Sequence, residues 1–213
     1  FGIILTYRLT DSVWGPFALP FYLQELNYSN DEVAFASKFF GVGMTMAGIA
    51  LGAVAFAVIG RMATLFFAAF ISAVSNLLYA DLAQGGFWLD KFGHSSGVYW
   101  LFSNFGTDDR LSRLLLAITG ENLAGGFAGA AFTAYLSSIT SKSHAAVQFS
   151  LLASLTFLVG SLGRAAIGAR IDTYGYAPVF YLTAALGMVA VVLCALEWLR
   201  TARAARLNPE AAG

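Results

Sequence analysis

The chain has 213 residues, 58% hydrophobic and only 11% charged, with a mean hydropathy of +0.70 and a formal net charge of zero. An ordinary soluble domain carries roughly 25% charged residues, so the composition points to a polytopic membrane protein whose first partner is the lipid bilayer. The neutral balance excludes a basic nucleic-acid surface, and a lone cysteine, Cys194, excludes a disulfide framework or a cysteine metal site.

A membrane-crossing helix needs about 20 mostly apolar residues. Six segments qualify, roughly 2–23, 32–59, 62–83, 111–138, 146–169 and 177–199, so the fold class is an all-α six-helix membrane bundle. In the first segment Arg8 and Asp11 lie three apart and share a helical face with Ser12 and Gly15. They read either as a self-neutralising pair or as a proton-sensitive pair lining a cavity. The segment lacks the basic n-region and cleavage site of a signal peptide, and a chain opening at Phe1 is expected to continue upstream.

Ser29 or Asn30 is placed to cap the second helix, with Asp31 and Glu32 favourable in its first turn. Along that helix Lys38, Gly41, Thr45, Gly48 and Gly52 make one small-polar face, in which Gly48 and Gly52 suit close packing. Lys38 either snorkels to the interface or borders a polar path. Gly60-Arg61 is the turn into the third span.

The long connection, residues 84–110, carries Phe87, Trp88, Phe92, Tyr99, Trp100, Phe102 and Phe105. It is expected on the outer side as an interfacial belt or a short helix at the headgroups, with a substrate-gating loop as the alternative. In the fourth span Glu121 sits in a long apolar run, where a carboxylate costs several kcal/mol and persists mainly facing a bundle interior or a water-filled path. Its face includes Gly125 and Gly129, which suit close packing, and Asn122 is its neighbour. The fifth span carries Gln148 and Arg164, the latter stacked with Gly160 and Gly168.

Arg200, Arg203 and Arg206 place residues 200–213 in the cytoplasm as a tail, with Arg61 and Lys142 in cytoplasmic turns. Lys91, Arg110, Arg113 and Arg170 fall on the outer side and oppose that orientation. The embedded charges Arg8, Asp11, Lys38, Glu121 and Arg164 form a set suited to an anionic ligand, with Asp11 and Glu121 as carboxylates whose protonation depends on their partners.

His94 and His144 are the only histidines, both in predicted loops, so the sequence offers neither haem ligation within the bundle nor a metal or other cofactor site. Ser137, Ser138 and Ser141 lack an evident base. A membrane enzyme would have to use His94 with Asp108 or Asp109; the chain is read as no enzyme. A non-transporting sensor subunit is the other competitor.

Tyr7-Arg8-Leu9-Thr10-Asp11, Ser37-Lys38-Phe39-Phe40-Gly41, Ser75-Asn76, the run from Glu121-Asn122-Leu123-Ala124-Gly125-Gly126 to Phe132, and Gln148-Phe149-Ser150-Leu151-Leu152 with Gly163-Arg164 resemble the carboxyl-terminal half of the AmpG-type muropeptide permeases, of the major facilitator superfamily. The resemblance runs in order over essentially the whole chain. It implies one half of that fold, two inverted three-helix repeats, and a missing amino-terminal six-helix half. It further implies proton symport of anionic anhydromuropeptides into the bacterial cytoplasm across the inner membrane during peptidoglycan recycling, with β-lactamase induction as a downstream consequence of muropeptide signals. Acetyl-CoA transporters share the pattern more loosely and are the alternative. Arg8, Asp11, Lys38, Glu121, Asn122, Gln148 and Arg164 fall on positions matching the family's pattern. The 84–110 connection is longer and more aromatic than the family's, and His144-Ala145-Ala146-Val147 precedes Gln148 where the family has a hydroxyl residue.

Overall fold

The computed structural model describes residues 2–140 and 145–207, the side chain of Asp11 and a few others excepted. Every regular element among them is helical. Five helices are long and apolar enough to cross a membrane: Asn30–Ile59, Arg61–Ala83, Asp109–Ile139, Ala146–Tyr174 and Tyr176–Ala204.

The first segment departs from the single helix expected over 2–23. It is a succession of short pieces: α1 (Gly2–Thr6), α2 (Leu9–Trp14), a 3-10 turn (Gly15–Phe17), α3 (Ala18–Pro20) and a π-helical turn (Phe21–Glu25). Pro16 and Pro20 lack the N–H that a regular helix requires and crowd the preceding turn. Pro16 in particular has no proton to return to the Ser12 carbonyl.

The next span begins at α4 (Asn30–Ala34), whose Ser29 makes a reciprocal capping box with Glu32: Glu32 N–H donates to Ser29 Oγ at 3.2 Å and Ser29 N–H to Glu32 Oε2 at 2.7 Å. It continues through a π-helical stretch (Phe35–Phe40) into α5 (Gly41–Ile59). Gly60, at φ 81°, turns the chain directly into α6 (Arg61–Ala83), a conformation that favours glycine.

Residues 84–110 fold into two short helices, α7 (Phe87–Ser96) and α8 (Val98–Ser103). His94 therefore lies in the last turn of α7 and not in a loop; His144 and Lys142 lie outside the described residues. Asp108 caps α9 (Asp109–Ile139) through Leu111 N–H at 2.8 Å. Then follow α10 (Ala145–Tyr174), Gly175 at φ 77°, and α11 (Tyr176–Leu207), which runs on through the first part of the expected tail. There Arg200 pairs with Glu197 at 2.6 Å, while the side chain of Arg206 is outside the described set.

The centre of the bundle is a row of packed helices: α5 on α9, α9 on α6, and α6 on α11, with α10 reached through α2. Buried aromatic rings fill one end, where Trp14, Phe21, Tyr79 and Phe180 interlock at centroid distances of 4.8 to 6.2 Å. Ile4, Tyr7, Leu65, Phe132 and Leu136 fill the other. α5 turns Val42, Met46, Val54 and Val58 outward, as α10 does Leu151, Leu158 and Leu162. So much exposed apolar surface suits lipid or another membrane helix, not water.

Candidate functional site

A cleft of about 620 Å³ lies between the α1–α2 junction, α5 and α9. The α9 side presents Glu121, Gly125, Gly129 and Thr133, one residue every four, with Asn122 and Gly126 beside them. Arg8, in the turn between α1 and α2, and Thr45 and Ile49 of α5 complete the polar and apolar walls. A basic and an acidic side chain thus line one recess, with Ile49 and Thr133 exposed at its rim.

The cleft takes its shape from the approach of α5 to α9. A Cβ at Gly48 would lie 2.2 Å from the Leu123 carbonyl oxygen, and one at Gly126 2.2 Å from that of Thr45. At Gly52 the nearest atom would be the Phe127 carbonyl oxygen at 2.9 Å. Without side chains at these positions the backbones touch, which brings Thr45 Oγ1 within 3.0 Å of Asn122 Oδ1, to which it donates. Thr45 Oγ1 also faces the Gly41 carbonyl at 2.9 Å, and Asn122 Nδ2 donates to the Ile118 carbonyl at 2.9 Å. The Asn122 carboxamide is held from two sides.

Gly125 and Gly129 are placed differently. Nothing lies within 4 Å of a Cβ at Gly125, and the neighbour at Gly129 is Arg8 Nη1 at 3.2 Å. Both face the cleft, where the absence of a side chain leaves room for a ligand instead of a helix. The buried hydroxyls of Tyr22 and Tyr79, which do not line the cleft, are 2.8 Å apart and within electrostatic reach of the Glu121 carboxyl group.

Lys38, Gln148 and Arg164 do not line this cleft. Lys38 is exposed on the π-helical stretch before α5, where a five-residue hydrogen-bond repeat, Gly41 N–H to Ala36 carbonyl, shifts it from the register of the Gly41 face. Gln148 is half-buried on α10. Arg164 Nε donates to the Ser12 carbonyl at 3.1 Å, the group that Pro16 deprives of its helical donor. α10 approaches α2 there through Gly160, whose Cβ would meet that of Ser12 at 2.3 Å. The side chain of Asp11 lies outside the described residues.

Sequence reasoning did not assign Thr45, Thr133 or the Tyr22–Tyr79 pair to the site. For the threonines the signal was present, since Thr133 continues the four-residue repeat from Glu121 and Thr45 shares a face with Gly41 and Gly48. For the tyrosines there was none, because 57 residues separate them.

A second polar cluster holds α7, α8 and the start of α9 together. Arg113 Nε donates to Asp90 Oδ1 at 2.7 Å and its Nη2 to Oδ2, while Tyr99 Oη donates to Asp90 Oδ1 at 2.7 Å. Burial pushes the Asp90 carboxyl up, but these hydrogen bonds and the Arg113 charge outweigh it and hold the group below the usual carboxylate range. Arg110 donates to the Leu26 and Asn27 carbonyls at 3.0 and 2.7 Å and covers the Tyr28 ring at 4.1 Å. Burial pushes the Tyr28 hydroxyl up to about 12, against the pull of Arg110, and the hydroxyl donates to the Arg110 carbonyl at 2.7 Å. His94 Nε2 meets Asp109 Oδ2 at 3.5 Å with both side chains mostly exposed. Among the described residues no group of three or more His, Cys, Asp or Glu side chains is placed to hold a metal ion.

No family model matches the chain. Among curated proteins it is 28% identical over 208 residues to an anhydromuropeptide permease of Escherichia coli (strain K12), covering 93% of this chain and 37% of that protein. It is 25% identical over 190 residues to a transporter named AmpG 4 of Rickettsia conorii (strain ATCC VR-613 / Malish 7), covering 89% of this chain and 40% of that protein. A transporter named AmpG 3 of Rickettsia typhi (strain ATCC VR-144 / Wilmington) is 25% identical over 183 residues, 84% of this chain and 37% of that one. These relatives carry the names of transporters and permeases, not of enzymes. The chain spans about two fifths of the length of the curated relatives it matches.

Proposed function

We propose that this chain, similar to AmpG-type permeases over about nine tenths of its length, is the carboxyl-terminal half of a proton-coupled importer of anhydromuropeptides. The observation that carries the reading is that one cleft is lined by Arg8, Glu121 and Asn122 together. A membrane carrier of an anionic solute needs a cation to pair with the solute, a titratable acid to couple it to protons, and a hydrogen-bonding group to orient it. All three residue types line that recess.

The segment 2–25 counts in this reading as a sixth, broken span, the discontinuous kind of helix that carriers place at their substrate sites. Residues 2–83 and 111–199 form two inverted three-helix repeats, with the positive-φ glycines Gly60 and Gly175 at corresponding turns. An amino-terminal six-helix half provides the opposite wall, against the exposed rim of the cleft. The carboxyl terminus lies in the cytoplasm, and α7 and α8 on the outer side.

The transport cycle is alternating access. A proton arriving from outside neutralises Glu121, with Asp11 a second acceptor on the same pathway. Arg8 then pairs with a carboxylate of the muropeptide, while Asn122, fixed by Thr45, orients it. A neutral acid lowers the electrostatic cost of closing the loaded cavity, and loss of the proton to the more alkaline cytoplasm resets it. Lys38, Gln148 and Arg164, outside the cleft in this state, belong to the pathway or to the helices that move around it.

The test is uptake by the full-length protein in proteoliposomes. Glu121→Gln is expected to keep counterflow of labelled muropeptide while losing accumulation driven by a proton gradient. Gradient-dependent accumulation equal to wild type overturns the coupling role. Counterflow of acetyl-CoA or another anionic solute, with none of muropeptide, replaces the substrate assignment by the alternative from the same superfamily.

A further inference from the structure

A second recess, of about 770 Å³, shares no lining residue with the polar cleft. Val74, Leu77 and Leu78 of α6, Leu116 of α9 and Phe87 and Phe92 of α7 form its apolar walls. Asp81, Gln84 and Tyr181 collect at one end. Asp81 accepts from Trp88 N–H at 3.2 Å and from Leu89 N–H at 2.8 Å, and Gln84 Oε1 accepts from Tyr181 Oη at 3.2 Å.

The dimensions match half a bilayer. From Val74 to Gln84 is ten residues of helix, about 15 Å at the α-helical rise, and one leaflet of a hydrocarbon core about 30 Å thick is also about 15 Å. Val74 lies near the middle of α6 and Gln84 just past its end, so the recess runs from the mid-plane to the interface. Beside its polar end Trp88 is exposed, and Lys91 Nζ stands 5.1 Å from the Trp88 ring centroid. That is the pairing of an aromatic ring and a cation found at the headgroup level. The recess is also concave, because α7, fixed to α6 through Asp81 and to α9 through Asp90 and Arg113, adds a wall that a bare helix face lacks.

We infer that this groove is a phospholipid site. It takes one acyl chain of a bilayer lipid along α6, with the phosphate directed to Lys91. The groove is continuous with the outward apolar face of α6, where Phe70, Ile71 and Val74 are exposed, so a chain enters sideways from the membrane. Each methylene buried there adds to retention in proportion to apolar area, and Lys91 adds attraction for the phosphate. The inference rests on the membrane reading of the long helices and is independent of the transported solute.

The experiment uses the full-length protein in vesicles containing a phosphatidylethanolamine with a photoreactive diazirine on one acyl chain, with adducts mapped by peptide mass spectrometry. Labelling of Val74, Leu77 and Leu116 is expected to exceed that of Val54 and Val58, exposed on α5, by about tenfold, equivalent to roughly 1.4 kcal/mol of preference. Leu77→Trp, which fills the groove from a partly exposed position, is expected to abolish the excess, and Lys91→Glu to reduce it without blocking the groove. Equal labelling of groove and α5 face, an excess unchanged by Leu77→Trp in protein of wild-type melting temperature, or displacement of the label by muropeptide overturns the inference.

Discussion

Two adjacent glycines of α9 do opposite things. A Cβ at Gly126 would press against the Thr45 carbonyl, whereas one at Gly125 would meet nothing within 4 Å. Gly126→Ala is therefore expected to destabilise the full-length protein by about 1–3 kcal/mol, the usual penalty of overpacking, seen as a lower melting temperature in detergent. Gly125→Ala is expected to change stability by no more than about 0.5 kcal/mol while raising the KM for transported solute, because its methyl group projects into the cleft. Equal melting shifts in the two variants contradict this division. Glu121, Asn122 and Arg8 were legible in the sequence because ionisable and amide groups are expensive in apolar runs. Which glycines face a helix and which face the cleft was not legible. Residues 125 and 126 differ by one step of about 100° around α9, and only the position of α5 distinguishes them.

At the scale of elements, the first span shows what periodicity leaves out. Its hydrophobic length was readable over 2–23 and Pro16 and Pro20 mark where a regular helix fails, but the group that takes up the Ser12 carbonyl, Arg164, lies far along the chain and was not readable. Arg164→Met is expected to destabilise by about 1 kcal/mol, the low end of the cost of leaving an acceptor unpaired, because the Ser12 carbonyl is part-buried. Pro16→Ala restores an N–H four residues after Ser12, so in that background the same change is expected to cost less. Additive melting shifts in the double variant contradict the link. α7 and α8 offer a pH test. The folded Asp90 carboxyl lies below its ordinary value of 3.8, so its contribution is fully present above the unfolded pKa and is lost as pH falls through the folded one. Hydrogen exchange in α7, measured relative to α6, is expected to stay slow down to about pH 4 and to accelerate below it. Asp90→Asn is expected to accelerate it at every pH, and an unchanged α7 in that variant contradicts the clamp.

Across the whole molecule, the five long apolar helices and the Ser29 cap follow from composition and local chemistry. The order of packing does not, because α5, α6, α9 and α11 are all apolar and the sequence does not rank their faces. The glycine seam between α5 and α9 has a consequence for synthesis. α9 is the least apolar of the five long helices, since Glu121, Asn122 and its threonines interrupt the greasy run, and it is the one for which unaided partitioning into lipid is least favourable. The ribosome delivers α5 and α6 first. α9, made after both, packs against helices that precede it in the chain. Gly48 and Gly126, by letting two backbones meet, give the helix that bears Glu121 a partner that is made before it.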